Sequence, residues 1–160
     1  KANLPRVYPK SVRRFFALVQ EQVRAEAPKS KAPSTQALGL RVPSGCRSAL
    51  SGQNRTITCE NAQLSWRVHQ SATDAAKTLQ DALMAYRAYT GIDVEKHFVE
   101  CMIQKRASRC IDMKVQASTG EQRALLGYAE VRGKILSVSC RWAGGGGREP
   151  PTCRGLISKR

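Results

Sequence analysis

Apolar residues along this chain recur at two different spacings. In VYPKSVRRFFALVQEQVRAEAP, Val12, Phe15, Phe16, Val19 and Val23 fall three and four positions apart, the spacing that lines one face of a helix. Pro9 suits its start and Pro28 its end. Lys10, Arg13, Arg14, Gln20 and Arg24 fall mainly off that stripe. Glu21 and Glu26 dilute the charge, which favours a helix docked on a core over one lying on a membrane surface. Residues 28–38, which open with PKSKAPSTQ, have the composition of a linker.

A period of two follows. RTITCE and QLSWRVH both alternate, with Leu64, Trp66 and Val68 on one side and Ser65, Arg67 and His69 on the other. Glu60, Asn61 and Ala62 supply a turn between them. SATDAAKTLQDALMAYRAYTG returns to helical spacing through Ala75, Ala76, Leu79, Leu83 and Tyr86. Ser71 or Thr73 can cap it, Asp74 suits its first turn, and Gly91 suits its end. Residues 94–104 fit both periods: Val94, Phe98 and Met102 fit a helix, whereas Val99, Cys101 and Ile103 fit a strand. CIDMKVQ is a cleaner strand, and LLGYAEVRGKILSVSCRW predicts a hairpin about Arg132-Gly133. AGGGGREPPTCRGLISKR reads as loop, since a glycine run orders at high entropic cost.

There is no internal repeat. The order of elements predicts one α+β domain over residues 1–160: an antiparallel sheet with two or three helices packed on it. It comprises an N-terminal helix (1–27), the linker (28–38), a sheet-and-helix core (39–142) and a disulfide-anchored tail (143–160). The length of 160 residues suits a single domain, and 41% hydrophobic residues suffice for a core. No apolar run approaches the roughly 20 residues of a membrane helix. The chain opens on Lys1 without methionine, as expected of one trimmed of a leader or cut from a longer chain.

Cysteine adds the next constraint. Cys46, Cys59, Cys101, Cys110, Cys140 and Cys153 are even in number, and none lie in the close pairs that converge on zinc. If Gly52-Gln53 is a two-residue turn, Ser51 opposes Asn54 and Cys46 opposes Cys59. A turn at Lys105-Arg106 sets Cys101 against Cys110 in the same way, at the expense of placing Val99 opposite Asp112. A shift of one residue packs the apolar positions better but separates the thiols. Cys140 and Cys153 remain, and would close the tail onto the last strand. Three such staples argue for an oxidising compartment, with a secreted or periplasmic protein expected and a mitochondrial or other organellar one as the alternative. Asn54-Arg55-Thr56 is also an N-glycosylation triplet at the first hairpin tip.

Charge suggests the partner. With 27 Lys and Arg against 12 Asp and Glu, the formal net charge is +15. An acidic protein or a polyanion such as nucleic acid, anionic glycan or lipid is therefore the expected partner class. The candidate contacts are Lys10, Arg13, Arg14, Lys105, Arg106, Arg109, Lys159 and Arg160. Aromatic interleaving of the kind that stacks single-stranded bases is missing.

No nucleophile elbow, phosphate loop, dinucleotide fingerprint or metal-ligand spacing is present, so neither metal nor cofactor is expected. Acid–base chemistry would have to come from His69 or His97 with Glu100 or Asp112. The sequence thus favours a non-enzymatic exported binding protein, of inhibitor or immunity type or a component of an envelope assembly. The alternatives are an organellar, RNA-associated subunit of a large complex and a small secreted hydrolase or toxin.

Overall fold

The structure is a computed structural model that describes residues 32–90, 95–117, 119–144 and 147–160. Eight strands dominate it: β1 (Arg47–Ser51), β2 (Asn54–Thr58), β3 (Ala62–His69), β4 (Glu95–Ile103), β5 (Arg106–Ala117), β6 (Gly120–Val131), β7 (Lys134–Ala143) and β8 (Ile157–Lys159). They form one sheet in the order β1-β2-β3-β7-β6-β5-β4-β8, with every neighbouring pair antiparallel. One long helix, α1 (Ala72–Thr90), crosses from β3 to β4, and a single helical turn, α2 (Pro151–Arg154), precedes β8.

This corrects the expected fold class. Among the described residues the chain is mostly antiparallel sheet, curled into a half-barrel with one long helix, and not an α+β arrangement with two or three helices packed on a sheet. The ambiguous segment accounts for part of the difference. In β4, Cys101 and Ile103 are fully buried and Val99 is half-buried while their neighbours are more exposed, so period two prevails there. The helix read over residues 1–27, with Lys10, Arg13 and Arg14, lies outside the described residues.

The curl follows from where the apolar residues go. Ile57 on β2 and Ile157 on β8 stand near opposite ends of the strand order, yet both belong to one core with Leu64, Trp66, Leu125, Val138 and Cys140. A flat sheet could not bring them together. Each such side chain, fully buried, contributes about 1.5–3 kcal/mol. On the outer face, Leu79, Ala82 and Leu83 of α1 pack against Ile111, Met113, Ala124, Leu126 and Tyr128. Ser71 caps this helix, its Oγ accepting from the Asp74 N–H at 3.1 Å.

Two stretches read as loose from composition close the inner core. Within the region taken as a linker, Ala32 and Leu38 are buried. There the Pro33 carbonyl accepts from Trp66 Nε1 at 2.8 Å, and the Ala32 carbonyl from Arg55 Nε at 2.9 Å. The tail also departs from a loop: it buries Cys153, Leu156 and Ile157 and adds β8 to the sheet. Pro151 serves the short α2 because the first helical position needs no N–H donor.

Disulfides join Cys46 to Cys59, Cys101 to Cys110 and Cys140 to Cys153. The first extends the β1–β2 ladder, in which Ser51 opposes Asn54 and Arg47 opposes Thr58. The second forms in a register that the sequence did not suggest. The β4–β5 turn is Gln104-Lys105, not Lys105-Arg106, and Cys101 opposes Ser108. Cys110 is then the diagonal neighbour on the same face, and strand twist brings the two Cα atoms to 5.8 Å. The third ties a central strand to α2 across the inner face. Three staples of this kind belong to an oxidising environment.

Candidate functional site

The antiparallel order places the β1–β2, β4–β5 and β6–β7 turns at one end of the sheet. Two of them carry cations. The β4–β5 tip presents Lys105 and Arg106, and the β6–β7 tip presents Arg132 and, one residue beyond Gly133, Lys134. Both are two-residue turns with left-handed backbone: φ is 46° and 64° at Gln104 and Lys105, and 52° and 74° at Arg132 and Gly133. Such turns match strand twist, but a non-glycine residue in that conformation costs roughly 1–2 kcal/mol. Lys105 holds the position that glycine usually takes.

A single loop links the two tips. Residues 34–40 form a tight turn in which Ser34 Oγ accepts from the Ala37 N–H at 3.1 Å. Its consecutive carbonyls face different hairpins: Leu38 accepts from Gln104 Nε2 at 2.9 Å, and Ala37 accepts from Arg132 Nη1 at 3.2 Å. Between this loop and the β6–β7 hairpin lies a slot of about 230 Å³, lined by apolar residues including Leu38, Val68, Val131 and Leu136 together with Arg132 and Lys134. None of Lys105, Arg106, Arg132 and Lys134 is in an ion pair among the described residues. Glu130, on the same hairpin, belongs to the outer face with Tyr128.

The described sequence candidates therefore separate into three groups. Lys105 and Arg106 sit at this end. Arg109 lies on the outer face, its guanidinium 4.9 Å from the ring centre of Phe98, which is 64% exposed. Lys159 and Arg160 belong to the β8 edge. There Lys159 is no free cation, since its Nζ lies 2.7 Å from Asp112 Oδ2 and donates to the Gly147 carbonyl at 3.2 Å. Arg160 is exposed, and its N–H donates to the Glu100 carbonyl. Arg132 and Lys134 do not stand out in the sequence because their nearness to Lys105 depends on strand order. The available signal was the Arg132-Gly133 turn itself.

The candidate acid–base residues do not assemble as the sequence suggests. His97 opposes Asp112 across β4–β5, but its Nε2 meets Glu95 at 3.1 Å while Asp112 meets Lys159. His69 instead lies beneath the start of α1, with Nδ1 3.0 Å from Asp74 Oδ2 and Nε2 2.6 Å from Ser137 Oγ. This is the connectivity of a Ser-His-Asp triad. Its setting differs, however. Ser137 is 5% exposed in the middle of β7, paired with Arg67 on one side and Tyr128 on the other. Regular ladders on both sides engage the neighbouring N–H groups, whereas acyl transfer needs such donors free to hold an oxyanion. What these contacts do provide is a tie from the helix start to the sheet.

The end where β5 turns into β6 is charged but largely self-neutralised. Glu121 accepts from Arg123 Nε at 2.9 Å and lies 3.2 Å from Lys114 Nζ. The Arg123 hydrogen bond, with Lys114 next, holds its carboxyl below the usual range. The hydrogen bond to His97 lowers Glu95 likewise. No cluster of metal-ligating side chains occurs among the described residues, and none of the described helices is long and apolar enough to cross a membrane. No protein-family model matches this chain, and no curated protein matches it.

Proposed function

We propose that this is a non-enzymatic, exported binding protein that engages an acidic protein through the basic end of its sheet. One observation carries the reading: two hairpin tips, held by consecutive carbonyls of one loop, present Lys105, Arg106, Arg132 and Lys134 beside an apolar slot. Among the described residues these cations have no acidic partner, which leaves their field for a ligand. An apolar slot among them suits a folded protein surface, which mixes apolar and acidic groups, better than a uniformly charged polymer. The disulfides support export, to the periplasm or the extracellular space. An inhibitor or immunity-type role and a place in an envelope assembly both accord with such a surface.

The test is charge reversal. Replacing Lys105, Arg106, Arg132 and Lys134 with Glu should abolish binding to poly-glutamate at low ionic strength, while reversal of Lys96, Lys77 and Arg141 leaves most of it. Wild-type affinity should fall with added salt. Equal losses from both sets would reduce the charge to a diffuse property and refute the site. Preferential binding of RNA, insensitive to the tip changes, would favour the organellar RNA-associated alternative. Alkylation of the native protein without reductant should leave all six cysteines unmodified; six labelled thiols would end the exported reading.

A further inference from the structure

We infer that the slot beside Arg132 receives one apolar side chain of the acidic partner, flanked there by carboxylates that meet Arg132 and Lys134. This rests on the acidic-partner reading and adds the anchor that would make such binding specific. Three observations lead to it. The slot measures about 230 Å³, below the roughly 300–1,000 Å³ of small-molecule pockets, a size that suits a single side chain. Leu38, Val131 and Leu136 are buried in the fold and give the slot a fixed apolar lining. Two cations line the same slot, and Arg132 is held in place by the Ala37 carbonyl. An apolar anchor within a charged rim is the arrangement of an interface hot spot, because the rim excludes water from the contact that carries the affinity.

The probes are two synthetic peptides of equal charge, Asp-Glu-Leu-Glu-Asp and Asp-Glu-Gly-Glu-Asp, titrated into the ¹⁵N-labelled protein at low ionic strength. The leucine peptide should bind about tenfold more tightly and shift the amides of Leu38, Val131 and Leu136. Ala37→Phe, at an exposed position lining the slot, should remove that advantage, so that the two peptides bind it alike. Retained amide dispersion and intact disulfides verify the variant's fold, and Ala37→Leu is a second filling variant should Ala37→Phe not fold. Equal affinity of the two peptides, both sensitive to tip charge reversal, would overturn the anchor while leaving the acidic-partner reading intact. Failure of both peptides to bind would overturn both. Octanoate shifting the slot amides in preference to the leucine peptide would assign the slot to a fatty anion and overturn the protein-partner inference.

Discussion

A methyl group added at Gly127 has almost no room. Gly127 lies on β6 facing the inner core, and a Cβ built there would meet Cys110 Sγ at 2.5 Å and Ile103 Cδ1 at 3.0 Å. Non-bonded carbon contacts are optimal near 3.5–4.0 Å, so the sulfur would have to retreat by about 1 Å. It cannot do so alone, because it is bonded to Cys101 between two paired strands. Alanine should gain about 0.5–1 kcal/mol over glycine in a strand, against an overpacking cost of about 1–3 kcal/mol. The net expectation for Gly127→Ala is a loss of up to about 2.5 kcal/mol, centred on about 1 kcal/mol, or a fall in Tm of roughly 2–4 °C at that centre for a chain of this size. Scanning calorimetry of the oxidised protein measures it. The cause is isolated by repeating the substitution in a Cys101→Ala, Cys110→Ala background. That background should itself lose about 3 kcal/mol, but the further penalty of Gly127→Ala should largely vanish there. A rise in Tm for Gly127→Ala, or the same penalty in both backgrounds, would refute the reasoning.

His69→Ala should cost about 2–3 kcal/mol, read as a lower urea midpoint, because it strands the buried Ser137 hydroxyl and unties the start of α1. A fluorophosphonate serine reagent should leave Ser137 unmodified in the native protein, checked by mass spectrometry. Glu121 should titrate below an ordinary glutamate in the folded state, so its ion pairs stabilise at pH above the unfolded carboxylate range and are lost as pH falls through the lowered value. Arg123→Ala should move that titration, followed by carboxyl ¹³C NMR, back toward normal. Lys105→Gly should stabilise the fold by up to about 1 kcal/mol in thermal melts, since glycine accepts a φ of 64° freely, while weakening poly-glutamate binding.

Features fixed by near neighbours in the chain are the ones legible in it. Gly52 announces its turn, and residues summing to the same number then oppose one another, as the β1–β2 ladder shows. The Arg132-Gly133 hairpin is legible for the same reason. The β4–β5 turn is not, because Gln104 and Lys105 adopt left-handed backbone with no glycine between them. Without that marker the apolar pattern admits more than one register, and each shift of the pairing reassigns the partners of Cys101. The tail misleads in another way. Its glycines and prolines signal loop, but Cys153, Leu156 and Ile157 gain enough by burial to order the chain around them. At the candidate site, Lys105 and Arg106 stand out as a local cluster, whereas Arg132 and Lys134 join them only through the order β7-β6-β5-β4. The same order pairs Lys159 with Asp112, which withdraws it from the set of free cations.

The basic tips and the staples are mechanically connected. Cys101 and Cys110 bracket the Gln104-Lys105 turn, so the disulfide lies directly behind the most strained backbone of the site. The β6–β7 tip has a milder turn, with Gly133 at its second position, and relies on the Ala37 carbonyl to fix Arg132. A tight turn with two left-handed non-glycine residues would otherwise fray or change register, carrying Lys105 and Arg106 with it. The covalent closure limits that freedom in the unfolded chain and the folded one alike. A presented charge that stays fixed loses less entropy on binding than one on a mobile loop. In the binding role proposed above, the Cys101–Cys110 staple would therefore serve recognition as well as stability.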